Sequence, residues 1–460
     1  MQLVQAAGKA RMADFKADSG RASVPADRIV AFLTEADIEA GFDGKPLTRS
    51  ITSRVQEKST LLYGGVSIDE FKGKRAELAM CHILLGRAPS PEEQDSFDRQ
   101  VHEHHAPENL LAQISLMDPT QDPMALLQAL IAQLPHPEFT TWNRDGLSDD
   151  LFARAVYLDG LSIIRPQIEL LAAVHRMCMG WGQPVRECPS GDDNFDLGKV
   201  FVFKLGIFND PSDREKFERL ALFVNACLTG WLAHGEANAG SFAAFVAAAT
   251  QTPANQIGLA GSAALFGKRH GRASTDVAVQ FINTYNRVFG GKLPSEEQFS
   301  HFLDVFLNGA EREAWVPEWV TKGKLAGFGH RVYEHEDSRL RLYDHLIEQF
   351  ALSDDPLITM VNWARKMVPE KLAHKLASRF ANTDSLPAFL GLRLGLFGED
   401  TTNILDEHPE IFGTMTALFY STRNWAYTVA ASLYNPRLIR PRAIADNIPA
   451  PQDEFVNSSA

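Results

Sequence analysis

Three loop segments of this 460-residue chain carry residue types that suit general acid–base chemistry. The segment GKRHGR contains His270, the segment GFGHRVYEHEDSR contains His330 behind two glycines, and the segment NTD ends in Asp384. Histidine and carboxylate side chains exchange protons with substrates, and arginines near them bind anions. A lone histidine is more often structural, so the prediction of an acid–base site for an anionic substrate depends on the combination.

Predicted helices flank these loops. Four segments have the spacing of a capping box, in which two side chains satisfy free backbone donors at a helix start. They are Ser67–Glu70, Ser90–Glu93, Ser212–Glu215 and Ser295–Gln298. The helix after the first is predicted to end near Gly86 and the helix after the fourth at Gly309. The helix that follows His270 is predicted to have its N-terminal cap at Ser274 or Thr275.

Apolar residues recur mostly with the period of a helix, which is 3.6 residues. Alternating patterns typical of strands are scarce, and the best candidates are Leu47–Ile51 and Thr60–Tyr63. The chain is therefore predicted to be all-α, with a minor strand element near its N-terminus.

The composition excludes several classes of protein. Hydrophobic residues make up 45% and charged residues 22%, which excludes a disordered chain. The net charge of −13 argues against a non-specific nucleic-acid binder or a protein that binds anionic membranes. The sequence has no run of 18 apolar residues and no signal-peptide h-region, so no membrane span is expected and the protein is predicted to be cytoplasmic.

Sequence patterns for metal binding are weak. The four cysteines form no CxxC pair and are predicted to be inert thiols. His102, His104 and His105 are close in sequence, but on a helix only the first and third share a face, so we interpret them as a solvated helix end. Because no HExxH, EF-hand, GxGxxG or P-loop pattern occurs, no metal site is predicted.

The segment GFGHRVYEHEDSR closely resembles the signature of the citrate synthase family, and the resemblance extends over roughly residues 40–445. AGFDGKPLTRSITSRVQEKSTLLYGGVSIDEF is similar to the N-terminal stretch of the family, and GSAALFGKRHGRAS to its loop ALxGPLHGGAN. FANTDS resembles its PNVDF turn, and PRLIRPRA resembles its closing RPR segment. Several motifs in family order are far more specific than any one of them.

The resemblance implies an all-α homodimer in which a small domain closes onto a large one. By analogy, residues 276–384 form the small domain, and residues 1–275 and 385–460 form the two parts of the large domain. The family are acyltransferases that condense an acyl-CoA with a 2-oxo acid, typically acetyl-CoA with oxaloacetate. The implied products are a citrate-type tricarboxylate and CoA, and no cofactor is implied, because acyl-CoA is a substrate.

The motifs also assign roles, residue by residue. Asp384 matches the base that removes a proton from the thioester methyl group. His270 matches the donor to the thioester oxygen, and His330 matches the residue that polarises the 2-oxo carbonyl. Arg339 and Arg423 match positions that bind the carboxylates of the oxo acid.

Two further substrate positions depend on the alignment. The arginine that the partner subunit donates matches Arg440, with Arg442 as the alternative, and would make the site a property of the dimer. The substrate-binding histidine falls on Gly235 without a gap and on His234 after a shift of one residue, and we favour His234.

Charges depart from the family pattern around the expected CoA site. Glu334 stands where the family often carries a basic residue for CoA, and a carboxylate there would repel phosphate. Conversely, the His270 loop gains basic residues. Arg272 replaces a glycine of the family pattern, and Lys268 and Arg269 replace its Pro-Leu. The residues predicted to bind CoA are Lys268, Arg269, Gly327 and Gly329.

The sequence does not decide which acyl group is transferred, because Ser385-Leu386 replace the Phe-Tyr that follows the base in the family. A 2-methylcitrate or longer alkylcitrate synthase is one alternative to a citrate synthase. A citryl-CoA lyase would use a similar site in reverse, without hydrolysis of the thioester. A paralogue without catalysis is the third alternative, against which the retained His270, His330 and Asp384 argue.

Overall fold

Helices make up most of the structure. The computed structural model describes residues 37, 50–185, 196–208, 210–235, 238–267, 270–330, 333–374, 379–398, 404–408 and 410–434. These residues form 17 α-helices. They are α1 (Ala76–Leu85), α2 (Pro91–His102), α3 (Glu108–Ile114), α4 (Pro123–Ile131), α5 (Pro137–Asp145), α6 (Asp149–Cys178), α7 (Leu197–Leu205), α8 (Arg214–Gly230), α9 (Ala239–Ala248), α10 (Ala254–Leu265), α11 (Ala273–Asn283), α12 (Glu296–Asn308), α13 (Leu340–Gln349), α14 (Pro356–Lys371), α15 (Pro387–Arg393), α16 (Ile404–Glu407) and α17 (Gly413–Tyr434).

The strand element is a small antiparallel sheet. Its strands are β1 (Ser53–Gln56), β2 (Thr60–Tyr63) and β3 (Val66–Ser67), with β2 in the middle. Leu61 and Tyr63 alternate with less buried neighbours and point into the core. The predicted all-α fold with a minor N-terminal strand element is therefore confirmed.

One of the two predicted strands is misplaced. Thr60–Tyr63 matches β2, whereas Ser50 and Ile51 at the end of the other prediction belong to no strand. The first strand begins at Ser53 instead, because its register with β2 places Ser53 opposite Tyr63. Residues 47–49 lie outside the described residues.

The helix α17 is the centre of the fold. It is buried along its described length and packs against α6, α10 and α8. Several of its hydroxyl side chains donate hydrogen bonds to their own helix, as Thr428 does to the Asn424 carbonyl at 3.0 Å. At Gly261 of α10, a Cβ would lie 2.2 Å from the Tyr427 ring, so glycine permits the close packing of α10 on α17. The rigid helix α17 can therefore carry a buried functional side chain.

Two of the four predicted capping boxes form. Ser90 and Ser295 each accept a hydrogen bond from the backbone three residues on and complete a box. Gly86 and Gly309 end α1 and α12 in the left-handed conformation, as predicted.

The other two boxes are wrong as helix starts. Ser67 caps a 3₁₀ turn at Ile68–Phe71. The backbone then changes direction at Gly73, where φ is 65°, and α1 begins only at Ala76. Ser212 lies in a second 3₁₀ turn, because its backbone N–H donates to the side chain of Asp210 at 2.8 Å. A competing aspartate thus displaces the predicted cap.

The histidines at the end of α2 are not simply solvated, which corrects our interpretation. His102 Nε2 lies 2.9 Å from a carboxylate oxygen of Glu77, a fully buried residue, and only 11% of the His102 side chain is exposed. His105 Nδ1 lies 3.2 Å from Glu169. These histidines therefore pair with buried carboxylates. The described residues contain no group of three His, Cys, Asp or Glu side chains that could hold a metal ion.

Three of the four cysteines lie within the described residues. Cys81, Cys178 and Cys227 are buried free thiols, and burial raises the pKa of Cys81 and Cys178 to about 12. Cys188 lies outside the described residues. No described helix is both long and apolar enough to cross a membrane.

Candidate active site

Backbone hydrogen bonds join the two segments that carry the acid–base residues His330 and Asp384. The Gly329 N–H donates to the Phe380 carbonyl at 2.8 Å, and the Asn382 N–H donates to the Gly327 carbonyl at 2.9 Å. The side-chain amide of Asn382 also donates to the Gly329 carbonyl at 3.1 Å. The histidine loop and the aspartate turn therefore form one connected unit.

Gly327 is the tightest point of this unit. Its φ is 79°, and a Cβ there would lie 2.7 Å from Val277 and 3.1 Å from the Ser385 Cα. Glycine is required on both counts, because L-residues disfavour that φ and because no space exists for a side chain. Gly327 thus has a packing role, while the role of Gly327 and Gly329 in CoA binding stays a prediction.

Asp384 is a buried carboxylate with two local restraints. Its Oδ1 accepts a hydrogen bond from Ser274 Oγ at 2.6 Å, and its backbone N–H donates to Asn382 Oδ1 at 3.0 Å. Burial raises the pKa of Asp384 to about 6, against the lowering effects of the Ser274 hydrogen bond and the Arg339 charge. The carboxylate is therefore ionised at neutral pH and more basic than an exposed aspartate.

The start of α11 differs from the prediction. Arg272 is at the N-cap position, and Ser274 and Thr275 both lie in the first turn of the helix. The reason is that the Ser274 hydroxyl points across to Asp384 and not back to its own helix. The sequence analysis therefore missed Ser274 as a site residue.

His270 precedes this helix in a tight turn. Its Nδ1 lies 3.2 Å from the Ala264 carbonyl, which accepts only, so Nδ1 carries the proton of the neutral ring. Loss of water around the ring and the charge of Arg423 lower the pKa of His270 to about 4. The imidazole is therefore neutral across the physiological pH range.

The rings of His234, His330 and Tyr333 contact one another at angles of about 60°. The ring centroids of His234 and His330 are 4.8 Å apart, and the Tyr333 ring is 4.6 Å from His330. His234 Nε2 lies 3.3 Å from the Tyr333 hydroxyl. Gly235, the alternative to His234, carries no side chain, and its N–H donates to the Ser53 hydroxyl at 2.8 Å.

The contacts of His330 determine its tautomer. The Tyr333 N–H donates to His330 Nδ1 at 3.3 Å, which leaves the proton of the neutral ring on Nε2, 4.0 Å from Asp337. Burial and the charge of Arg339 lower the pKa of His330 to about 4, although Asp337 acts in the opposite direction. His330 is therefore a neutral hydrogen-bond donor.

Arg339 already has a carboxylate partner. Its Nε donates to Asp337 Oδ1 at 2.9 Å and its Nη2 donates to Oδ2 at 2.5 Å, and both residues are buried. Asp337 raises the pKa of Arg339, while the charge of Arg339 holds the pKa of Asp337 below its usual value despite burial. A buried charge that is paired in this way is fixed in orientation.

Arg423 has donors to spare. It lies in the middle of α17, with 1% of its surface exposed and its Nε donating to the Trp231 carbonyl at 2.7 Å. Its Nη2 finds no hydrogen-bond acceptor among the described residues. Burial lowers the pKa of Arg423. A buried guanidinium with an unused donor is suited to an anionic ligand.

Direct contacts link these groups. The rings of His234 and His330 are 4.8 Å apart, and His330 Nε2 lies 4.0 Å from the Asp337 that pairs with Arg339. His270 and Arg423 both contact the Phe419 ring. Burial and the positive charges of Arg339 and Arg423 lower the pKa values of His234 and His270, and the same two charges partly offset the rise that burial causes in the pKa of Asp384. The structure therefore brings six predicted residues together. They are His234, His270, His330, Arg339, Asp384 and Arg423.

Two departures at the edge of the site have local ion partners. Glu334 forms an exposed salt bridge with Lys58, and its N–H donates to the Lys58 carbonyl at 3.1 Å. Arg272 Nη2 lies 2.7 Å from Glu410 and its Nη1 lies 3.6 Å from Asp122. Lys58 therefore supplies positive charge where Glu334 removes it, and Arg272 is bound to carboxylates.

Four predicted residues cannot be placed. Lys268, Arg269, Arg440 and Arg442 lie outside the described residues. Conversely, the sequence analysis missed Asp337 and Tyr333 along with Ser274. The position of Asp337, two residues before Arg339, was the available signal for its ion pair.

Comparisons with known proteins agree on one family. Residues 41–404 match the family model described as "Citrate synthase, C-terminal domain". Citrate synthase of Synechocystis is 24% identical over 349 residues, which are 75% of this chain and 78% of the relative. Citrate synthase of Saccharolobus solfataricus is 25% identical, over 84% of this chain and 90% of the relative.

Solved structures agree on the fold. Citrate synthase of Pyrobaculum aerophilum is 19% identical with a TM-score of 0.70. The match covers 94% of this chain and 98% of the Pyrobaculum chain. Citrate synthase of Thermoplasma acidophilum, in a complex with carboxymethyl coenzyme A and oxaloacetate, is 20% identical with a TM-score of 0.66. That match covers 90% of this chain and 97% of the Thermoplasma chain. This chain belongs to the citrate synthase family and is a citrate synthase-like acyltransferase.

Proposed function

We propose that the enzyme condenses acetyl-CoA with oxaloacetate and water to give citrate and CoA. The observation that carries this proposal is the composition of the site. A buried, ionised carboxylate lies in one site with two neutral imidazoles and two buried guanidiniums, of Asp384, His270, His330, Arg339 and Arg423. This set suits proton removal from carbon and the binding of a dicarboxylate.

In the first step Asp384 removes a proton from the methyl group of the thioester. Its raised pKa makes it a better base for this weak carbon acid than an exposed aspartate. His270 stabilises the enolate oxygen by a hydrogen bond. In the free enzyme the Nδ1–H of His270 donates to the Ala264 carbonyl at 3.2 Å, so donation to the enolate oxygen requires that the ring turns away from this carbonyl when the acyl-CoA binds.

In the second step the enolate carbon attacks the 2-oxo carbonyl of oxaloacetate. The Nε2–H of His330 polarises this carbonyl and donates its proton to the alkoxide as the carbon–carbon bond forms. The proton that Asp384 took from the methyl group replaces the proton that His330 gave to the alkoxide, so both residues regain their starting state. Water then cleaves the citryl thioester, which releases citrate and the CoA thiol. No cofactor takes part in these steps.

Arg423, Arg339 and His234 bind the oxo acid. Arg423 contributes the donor that has no acceptor among the described residues, whereas Arg339 is oriented by Asp337. Arg440 of the partner subunit completes the binding set in the proposed homodimer.

We also propose that residues 276–384 close as a small domain onto the rest of the chain when substrate binds. Closure would exclude water from the enolate. The protein is proposed to act in the cytoplasm, where acyl-CoA and oxaloacetate are its small-molecule partners.

The test mixes the pure protein with oxaloacetate and acetyl-, propionyl- or longer acyl-CoA, and measures thiol release and product mass. Asp384→Asn is the matched control. Fastest release with acetyl-CoA and a product with the mass of citrate would support the proposal. A preference for propionyl-CoA would indicate a 2-methylcitrate synthase, and cleavage of citryl-CoA without hydrolysis would indicate a lyase. No CoA release with any donor would contradict the synthase proposal.

A further inference from the structure

The hydrogen bond between Ser274 and Asp384 is short and buried. Ser274 Oγ lies 2.6 Å from Asp384 Oδ1, Ser274 is fully buried and Asp384 is 7% exposed. This length is typical of a hydroxyl that donates to a charged carboxylate. Within the described ranges, Ser274 is the side chain that donates to Asp384.

The same bond connects the elements of the site. Ser274 lies in the first turn of α11, four residues after His270, whereas Asp384 ends the turn that is joined to the loop of His330. The hydroxyl therefore fixes the carboxylate relative to the histidine beside the thioester oxygen. Because the Ser274 hydrogen bond stabilises the charge on Oδ1, Oδ2 is the more basic oxygen and the one better suited to accept the substrate proton.

Electrostatics gives this hydroxyl a second effect. Burial raises the pKa of Asp384, and the Ser274 hydrogen bond is the largest influence in the opposite direction, ahead of the charges of Arg339 and Arg423. A donor stabilises the ionised carboxylate more than the protonated form. Its removal would make protonation easier and leave a buried oxygen without a partner.

We propose that Ser274 is a positioning residue for the condensation, which keeps the Asp384 carboxylate ionised and directs Oδ2 towards the thioester methyl group. This inference rests on the proposed function. It assigns Ser274 no contact with either substrate.

The test compares the pH dependence of kcat for the wild type, Ser274→Ala, Ser274→Cys and Thr275→Val. Thr275→Val is the matched control, because it removes a buried hydroxyl from the same turn that has no described hydrogen-bond partner. We expect the acid-side midpoint of Ser274→Ala to rise by about one pH unit. Its kcat at pH 8 should fall by about tenfold, because the carboxylate is less well oriented.

Ser274→Cys, with a weak donor of similar size, should give an intermediate shift, and Thr275→Val should match the wild type. A loss of kcat by the same factor at every pH, with an unmoved midpoint, would overturn the inference. If Ser274→Ala does not fold, an unmoved midpoint in Ser274→Cys would overturn it equally.

A second measurement does not depend on turnover. The infrared carboxyl band of Asp384, assigned by its loss in Asp384→Asn, reports the protonation of this side chain directly. We expect the same upward shift in Ser274→Ala. An active wild type with an unshifted band would contradict the inference alone, whereas an inactive wild type would contradict the proposed function and leave the band to test the hydrogen bond.

Discussion

The interior and the rim of the candidate site differ in how their charges are held. In the interior, Arg339 and Asp337 are both fully or almost fully buried, and the backbone and guanidinium of Arg339 donate four hydrogen bonds to the Asp337 carboxylate. At the rim, the side chains of Lys58 and Glu334 form a salt bridge while 63% and 65% of their surfaces stay exposed. Water screens the rim pair and leaves the interior pair unscreened.

This difference determines what a change of charge would cost in each region. Removal of Arg339 or Asp337 alone would leave the other as a buried, unpaired charge, at a cost of about 3–5 kcal/mol. An altered rim charge costs little, since exposed ion pairs contribute about 0–1 kcal/mol. The acid–base residues therefore lie in the region where a change of charge costs the most stability, whereas Glu334 and Arg272, which depart from the family pattern, lie at the edge.

The largest expected effect is the loss of the interior base. Asp384→Asn should lower kcat by at least about 1000-fold, because the amide cannot accept the methyl proton. Oxaloacetate binding, measured by calorimetry, should stay within about threefold of the wild type, since Asp384 acts on the acyl donor. A comparable loss of oxaloacetate affinity would mean that Asp384 belongs to the oxo-acid subsite.

The second effect concerns the unpaired interior cation. Arg423→Met should weaken oxaloacetate binding by about 100-fold, because a buried donor for its carboxylate is lost. The melting temperature of the ligand-free protein should change little, because loss of the hydrogen bond to the Trp231 carbonyl is offset by removal of a buried charge that has no described carboxylate partner. Unchanged affinity in calorimetry would remove Arg423 from the site.

The third effect tests the joined loops. Gly327→Ala should destabilise the protein by about 3 kcal/mol, because the methyl group meets Val277 and Ser385 in addition to the strained φ. Gly65→Ala is the matched control, since its φ is 81° but no atom lies within 4 Å of a Cβ there. It should cost about 1 kcal/mol in urea unfolding. Equal losses in the two variants would contradict the tight packing at Gly327.

The fourth effect is the pH dependence of the wild type. A base with a pKa of about 6 is protonated as the pH falls, so kcat should decline below pH 6 and be about tenfold lower at pH 5. His270 and His330, with pKa values lowered to about 4, stay neutral over this range. A rate that stays flat down to pH 5 would contradict the assignment of Asp384 as the base.

The smallest effect is expected at the rim. Glu334→Gln should change stability by less than about 0.5 kcal/mol, because the salt bridge with Lys58 is exposed. It should lower the KM for acyl-CoA by about twofold at low salt, and less at high salt, since Lys58 then keeps its charge for phosphate. A salt-independent change in KM would indicate a direct contact of residue 334 with the substrate.

Local signals predicted much of the fold. Capping chemistry at Ser90 and Ser295 and the glycine stops at Gly86 and Gly309 act within one turn, so they are readable from sequence. Ser212 failed as a helix start because the side chain of Asp210 captured its N–H. That competition depends on backbone conformation, which spacing alone does not reveal.

In the candidate site, too, the sequence motifs indicated individual residues but not the contacts that depend on the fold. The motifs supplied His270, His330, Asp384, Arg339 and Arg423, which the structure brings into one site. They did not supply the bond from Ser274 to Asp384, because it joins positions 110 residues apart. They also could not show that Lys58 faces Glu334, since that contact depends on the register of the β1–β2 hairpin.

The most direct test of the central claim follows the methyl group of the acyl donor. The enzyme is supplied with oxaloacetate and acetyl-CoA that carries three deuterons on its methyl carbon, and the product mass is measured. We predict citrate that retains two deuterons, formed by the wild type and not by Asp384→Asn, because enolisation breaks one carbon–deuterium bond. A product that retains all three deuterons, or no release of CoA, would contradict condensation through the enolate.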